Sequence, residues 1–106
     1  MITVNNKEEL KALINQRIEE QGPNCDLNDI DVSHITDMSF LFCKSNFNGD
    51  ISQWDVSKVE NMELMFYRSE FNGDISNWNV STTEVTSMLR ESTLEVNGKT
   101  PNWYNE

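Results

Sequence analysis

The chain repeats itself at a fixed distance. The block FNGDISQWDVS at residues 47–57 returns as FNGDISNWNVS at residues 71–81, a shift of 24 residues. A constant period of this length is the mark of repeat architectures, in which each unit buries its apolar face against its neighbours. Weaker copies flank the pair. Asn24 to Ser33 (NCDLNDIDVS) sets Leu27 under Ile51, Ile30 under Trp54 and Val32 under Val56. Downstream, Val96, Asn97, Gly98 and Trp103 take the places of Phe, Asn, Gly and Trp. About four units result, the last cut short.

Each unit has one internal grammar. Ile51-x-x-Trp54-x-Val56 follows the LxxLxL pattern of leucine-rich repeats, and Leu27, Ile30, Val32 and Ile75, Trp78, Val80 follow it too. Period-two alternation predicts a short strand through Trp54 and Val56, with Asp55 pointing outward. The runs Ile35, Met38, Leu41, Phe42 and Val59, Met62, Met65, Phe66 have the three-and-four spacing of about two helical turns. Asn48-Gly49 and Asn72-Gly73 read as turns at positive φ. The expected fold is therefore an α/β solenoid: a short, leucine-rich-repeat-like, right-handed coil of about four repeats, with short parallel strands, short helices and an N-terminal capping helix. Its expected divisions are a strand and capping helix over 1–22, the repeats over 23–94, and a degenerate repeat and cap over 95–106.

The block FNGDIS-x-W-[DN]-VS, followed by VxxM and a short Met and Phe segment, resembles the BspA-like leucine-rich-repeat family of bacterial surface proteins. The resemblance runs from about Leu27 to Met88. It implies the repeat fold and, from the habits of that family, a surface role in adhesion.

The two ends differ from the middle. Ile2 and Val4 suggest a strand, and Asn6 with Glu9 three residues on makes a helix-capping signal. Leu10, Leu13, Ile14 and Ile18 then share one helical face up to Gly22-Pro23. A first repeat needs such a cover for its apolar end. Towards the C-terminus, Ser81-Thr82-Thr83-Glu84 reads as an insertion of two residues that delays Val85 and Met88 and puts Ser92 in the slot of Phe42 and Phe66.

Chemistry is sparse in this pattern. His34 is the sole histidine and has Lys58 as its counterpart, a water-facing position. Cys25 and Cys43 stand at non-equivalent places, and no base is oriented towards either. One His and two unpaired Cys do not make a zinc set. Asp26, Asp50 and Asp74 align in register, and could either hold a hard cation or cap their own turns; turn chemistry is the reading favoured here. Asn24, Asn48, Asn72 and Asn97 read as amides that satisfy backbone groups, and Met38, Met62 and Met88 as core fillers. Neither an enzyme nor a cofactor is expected.

Charge then narrows the partner. With 8 Lys and Arg against 18 Asp and Glu, the formal charge is −10, which disfavours direct contact with nucleic acid or anionic membrane. The N-terminus MITVNNKEELKAL lacks the form of a secretory signal, so a cytoplasmic address is expected. The residues that folding leaves unexplained are Asp29, Asp31, Gln53, Asp55, Asn77 and Asn79 on the outward strand face, and Glu60 and Glu63 on the opposite side. They suggest a non-enzymatic acidic module that binds a basic protein, a stoichiometric inhibitor of the kind made by phages or toxin immunity systems. The alternative is a surface adhesion unit. Asp31 opposite Asp55 should also carry a small repulsive penalty.

Overall fold

The first helix carries its own start and stop signals. In the computed structural model, which describes residues 1–80 and 83–104, helix α1 spans Lys7–Gln21. Asn6 caps it, its side chain accepting from the Glu9 amide at 2.9 Å, while Glu9 reaches back to the Asn5 amide at 2.8 Å. These bonds satisfy amides that a helix start leaves without partners. Gly22, at φ 90°, ends the helix by turning its amide onto the Ile18 carbonyl. Leu10 and Ile14 are fully buried, with Leu13 and Ile18 packed beside them. Strand β1, Ile2–Thr3, pairs in parallel with β2, Ile30–Asp31. A one-turn helix α2, Thr93–Val96, lies near the other end.

The leucine-rich-repeat solenoid expected from the sequence is not what forms. The described residues contain two strands of two residues each and two helices. No strand runs through Trp54 and Val56, and no helix follows either of them. The extents of 32 × 27 × 20 Å are those of a compact body.

The reason lies in what apolar spacing of three does to a backbone that bends at every step. Ile30, Trp54 and Trp78 each donate their amide three residues back, to Leu27, Ile51 and Ile75. Ile35, Val59 and Thr83 repeat this on Val32, Val56 and Val80. Such i to i+3 closures are turns, which an extended strand excludes.

The Met and Phe segments are turns for a second reason. Phe40, Lys44, Leu64, Arg68, Ser87 and Glu91 all have φ between 53° and 61°, and a left-handed residue every fourth position cannot continue an α-helix. The amides alternate in their use. Those of Leu41, Cys43 and Ser45 close local turns on Met38, Phe40 and Phe42, while those of Met38, Phe40, Phe42 and Lys44 cross to the carbonyls of Asn61, Glu63, Met65 and Tyr67. Met62, Leu64, Phe66 and Arg68 cross in turn to Glu84, Thr86, Met88 and Arg90. Every donor in such a run is thus used without regular secondary structure.

Two further details differ from the sequence reading. Asn61 bridges Asp37 on one side and Glu84 on the other, so the third run comes one residue early rather than two late. Leu89 therefore occupies the place of Phe66, and Ser92 that of Ser69, where it is buried and caps α2. Ser81 and Thr82, on which the expected insertion partly fell, are outside the described residues. Gly49 and Gly73, moreover, do not have positive φ. Gly49 is needed for close approach: a Cβ there would stand 1.7 Å from the Cys25 carbonyl oxygen.

The core is an aromatic stack inside these turns. Phe42 lies parallel to Phe66 at 5.4 Å, Phe47 to Phe71 at 6.1 Å and Trp54 to Trp78 at 6.4 Å between ring centres. Phe42 meets Phe47 at 4.8 Å and Phe66 meets Phe71 at 4.6 Å, so the columns join. Each indole also donates to a main-chain carbonyl: Trp54 to Leu27, Trp78 to Ile51 and Trp103 to Ile75, at 2.9, 3.1 and 3.0 Å. A buried indole with a bonded N–H carries no desolvation penalty at its polar end.

Trp54→Ala removes both a stacked ring and a hydrogen bond, and should cost about 3–5 kcal/mol, read as a lowered denaturant midpoint. Gly49→Ala should be the more damaging of the two Asn-Gly substitutions. Its new methyl meets main chain, whereas at Gly73 the nearest atoms belong to the Phe71 ring at 2.6 Å. Equal midpoints for the two alanine variants would contradict the close-approach account.

Candidate binding face

Short acidic and amide side chains between the turns create the surface, and most of them bond to the backbone just ahead. Asp26, Asp31, Asp50, Asp55 and Asp74 each accept, through Oδ1, the amide two residues on, at 2.8 to 3.1 Å. Ser52, Ser57 and Ser76 add their hydroxyls to Asp50, Asp55 and Asp74. These are Asx turns, a structural use of carboxylates that needs no cation. Among the described residues no group of three potential ligands is gathered for a metal.

Bonding of this kind favours the charged form. Asp55 and Asp74 are held below the usual carboxylate range by the hydroxyl and amide of Ser57 and Ser76, and Asp31 by Ser33. Asp50 is lowered by the Asn28 side chain and by Ser52, and Glu84 by Thr86. The outcome is a set of fixed anions at defined places.

The sequence-derived residues fall into unequal groups. Asp29 is exposed but no free anion, because Arg17 of α1 grips it with two bonds at 2.8 and 2.7 Å, and this pairing lowers its pKa. Asp31 lies in β2, paired through Thr3 to β1, so its strand partner is not Asp55. The two carboxylates still feel one another, since Asp31 opposes the lowering at Asp55. Gln53 is exposed and ties the turn down through its amide, which donates to Asn28 Oδ1 at 2.9 Å. Asn77 and Asn79 are exposed in the following turn. Glu60 is exposed and Glu63 half-buried, with main-chain bonds to Thr36 and Phe40. They belong to the other set of turns.

Two contributions escaped sequence reading. Arg17 removes one acid from the face, and a pairing 12 residues away on an irregular path has no periodic signal. Lys7 likewise neutralises Asp37 at 3.3 Å. The clefts are shallow: one of about 130 Å³ lies beside Asn5, Lys7, Ile35 and Asp37, and one of about 180 Å³ beside Asn72, Gly73, Asp74 and Lys99. Of the cysteines, Cys25 is buried, which raises its thiol pKa, and Cys43 is half-buried; both are free thiols.

The model of a family described as DUF285, Mycoplasma protein of unknown function, matches residues 9–106. The chain belongs to this family. The match takes in every candidate residue on the face, from Asp29 to Asn79, so the DUF285 region and the acidic turns coincide. No curated protein and no solved structure matched the chain. No helix among the described residues is long and apolar enough to cross a membrane.

The lowered carboxylates set a pH dependence. A group whose folded pKa lies below its unfolded value of about 3.9 adds stability above that value, and this is lost as pH falls through the folded pKa. Stability should therefore be level near neutrality and decline below about pH 4. Asp55→Asn and Asp74→Asn, which keep the accepting oxygen, should shallow that decline in acid-unfolding curves. A decline as steep as that of the parent chain would show that these turns do not contribute to it.

Proposed function

We propose that the chain is a non-enzymatic, acidic protein-binding module that occludes a basic, nucleic-acid-binding surface of a partner protein. The observation that carries this reading is the set of carboxylates held in Asx turns, Asp31, Asp50, Asp55 and Asp74, each accepting the amide two residues on. Preorganised charge loses little side-chain freedom on binding, and complementary charge speeds encounter. The face comprises Asp31, Gln53, Asp55, Asn77 and Asn79, with Asp50 and Asp74 in the same turns, while Asp29 is neutralised by Arg17. Glu60 and Glu63 belong to an alternative contact surface. A cytoplasmic setting and a stoichiometric inhibitory role, comparable to a phage antagonist or an immunity protein, complete this reading. They rest on charge and on analogy.

A second reading has its own support in the repeated FNGDIS block, which resembles BspA-like surface proteins. In that case the same face serves adhesion outside the cell. Localisation by fractionation separates the two, because an inhibitor of a nucleic-acid-binding protein must be found with its partner inside.

Asp31→Asn with Asp55→Asn removes two charges, keeps both accepting oxygens and relieves their mutual repulsion. Stability near neutral pH should fall slightly, because the Ser33 and Ser57 bonds that favour the two charged carboxylates outweigh the repulsion relieved. Binding to a basic partner captured at low salt should weaken, through slower association, and its salt dependence should become shallower. Loss of binding in Glu60→Gln with Glu63→Gln instead would move the contact to the other turns. Unchanged binding in both double variants would overturn the electrostatic reading.

A further inference from the structure

Asn-Gly occurs three times in this chain, as Asn48-Gly49, Asn72-Gly73 and Asn97-Gly98. Glycine offers no Cβ to shield its amide nitrogen, so this nitrogen can approach the preceding side-chain carbonyl more readily than in other pairs. The three pairs are held very differently.

Asn48 is locked on both sides. Its Oδ1 accepts the Asn72 amide at 2.8 Å, and its own amide donates to the Pro23 carbonyl at 2.7 Å. Gly49 is pressed against the Cys25 carbonyl and the Phe47 ring. The Asn72 amide is fixed by the same bond, and Gly73 is enclosed by the Phe71 ring, with the Gly49 carbonyl 3.5 Å from where its Cβ would lie. Asn48 and Asn72 are thus tied to one another by this bond, and both glycines sit against neighbouring chain.

Asn97-Gly98 is open. Both residues are exposed, Gly98 has φ 69°, and no atom lies within 4 Å of its would-be Cβ. Its ties are the end of a one-turn helix, with Asn97 donating to Thr93 at 2.9 Å and Gly98 to Glu95 at 3.0 Å, and a 3.3 Å contact from Asn97 Nδ2 to Asn72 Oδ1. Terminal turns of this kind open locally, without global unfolding.

We propose that Asn97 is a site of spontaneous deamidation in the folded protein, while Asn48 and Asn72 are protected by the fold. The Gly98 nitrogen gives up its proton to hydroxide and attacks Asn97 Cγ. The Cγ–Nδ2 bond breaks, and Nδ2 takes a proton from water and leaves as ammonia. Water then opens the cyclic imide at either carbonyl, giving aspartate or isoaspartate. The net change is one water consumed and one ammonia released, with no oxidant or reductant. The product carries a new negative charge, and a carboxylate oxygen replaces the donor that faced Asn72 Oδ1. The contact between Asn97 and Asn72 is thereby lost.

The experiment incubates the full chain in mildly alkaline buffer and follows all three peptides by mass spectrometry, once folded and once in denaturant. In the folded protein, Asn97 should convert about ten-fold faster or more than Asn48 and Asn72, as local opening outpaces global opening. In denaturant the three rates should converge. Gly98→Ala should slow Asn97 conversion even though it loosens the turn by straining a positive φ; a merely structural effect would accelerate it. Equal rates for the three sites in the folded protein, or conversion at Asn48 or Asn72 first, would overturn the proposal.

Discussion

Everything in this structure depends on how alternate amides are shared between neighbouring runs of turns. From Met38 to Ser45 one amide closes a local turn and the next crosses to a carbonyl 23 residues on, and the pattern repeats from Met62 to Ser69 with a crossing of 22 residues. Local closure alone would leave the amides of the buried Met38 and Phe42 unpaired, at a cost of about 1–3 kcal/mol each. The crossing bonds remove that cost and fix the spacing at which Phe42 and Phe66, 5.4 Å apart, can stack. Backbone pairing and ring stacking therefore share one repeat distance. A change in either disturbs both.

That coupling explains how surface charge comes to be fixed. Between the turn runs the backbone changes direction, and an Asx turn satisfies the amide at each change. Asp50 and Asp74 recur because the bend recurs, and the bonds they make lower their pKa values further. Carboxylates held in Asx turns are thus a by-product of folding an irregular chain.

The buried positions were legible in the sequence. Leu27, Ile30, Val32, Ile51, Trp54, Val56, Ile75, Trp78 and Val80 are all buried, because repetition marks which side chains must meet their counterparts. The path between them was not. Apolar spacing of three suits an α-helix, a strand with a bend, or successive turns, and only the left-handed residues at Phe40, Lys44, Leu64 and Arg68 decide among them. Those positions hold none of the residues that usually accept positive φ, so sequence offered no warning. On the candidate face, exposure at Asp55 and Asn77 followed from alternation with core residues. The neutralisation of Asp29 by Arg17 did not, since it joins parts of the chain that no periodicity relates.

The helix that opens the chain contributes more than apolar cover. Its Lys7 ammonium donates to the carbonyl of Ser39 at 3.2 Å, and Lys11 to that of Leu41 at 3.4 Å. The corresponding carbonyls one run later, on Glu63 and Met65, receive main-chain amides from Phe40 and Phe42. Two side-chain cations therefore stand where the amides of a preceding run would otherwise bond. An edge of unfilled carbonyls is a template on which another chain can grow, and natural proteins blunt such edges with lysine. Here the blunting is built into the same molecule, so the first run is closed to chain-on-chain propagation from that side.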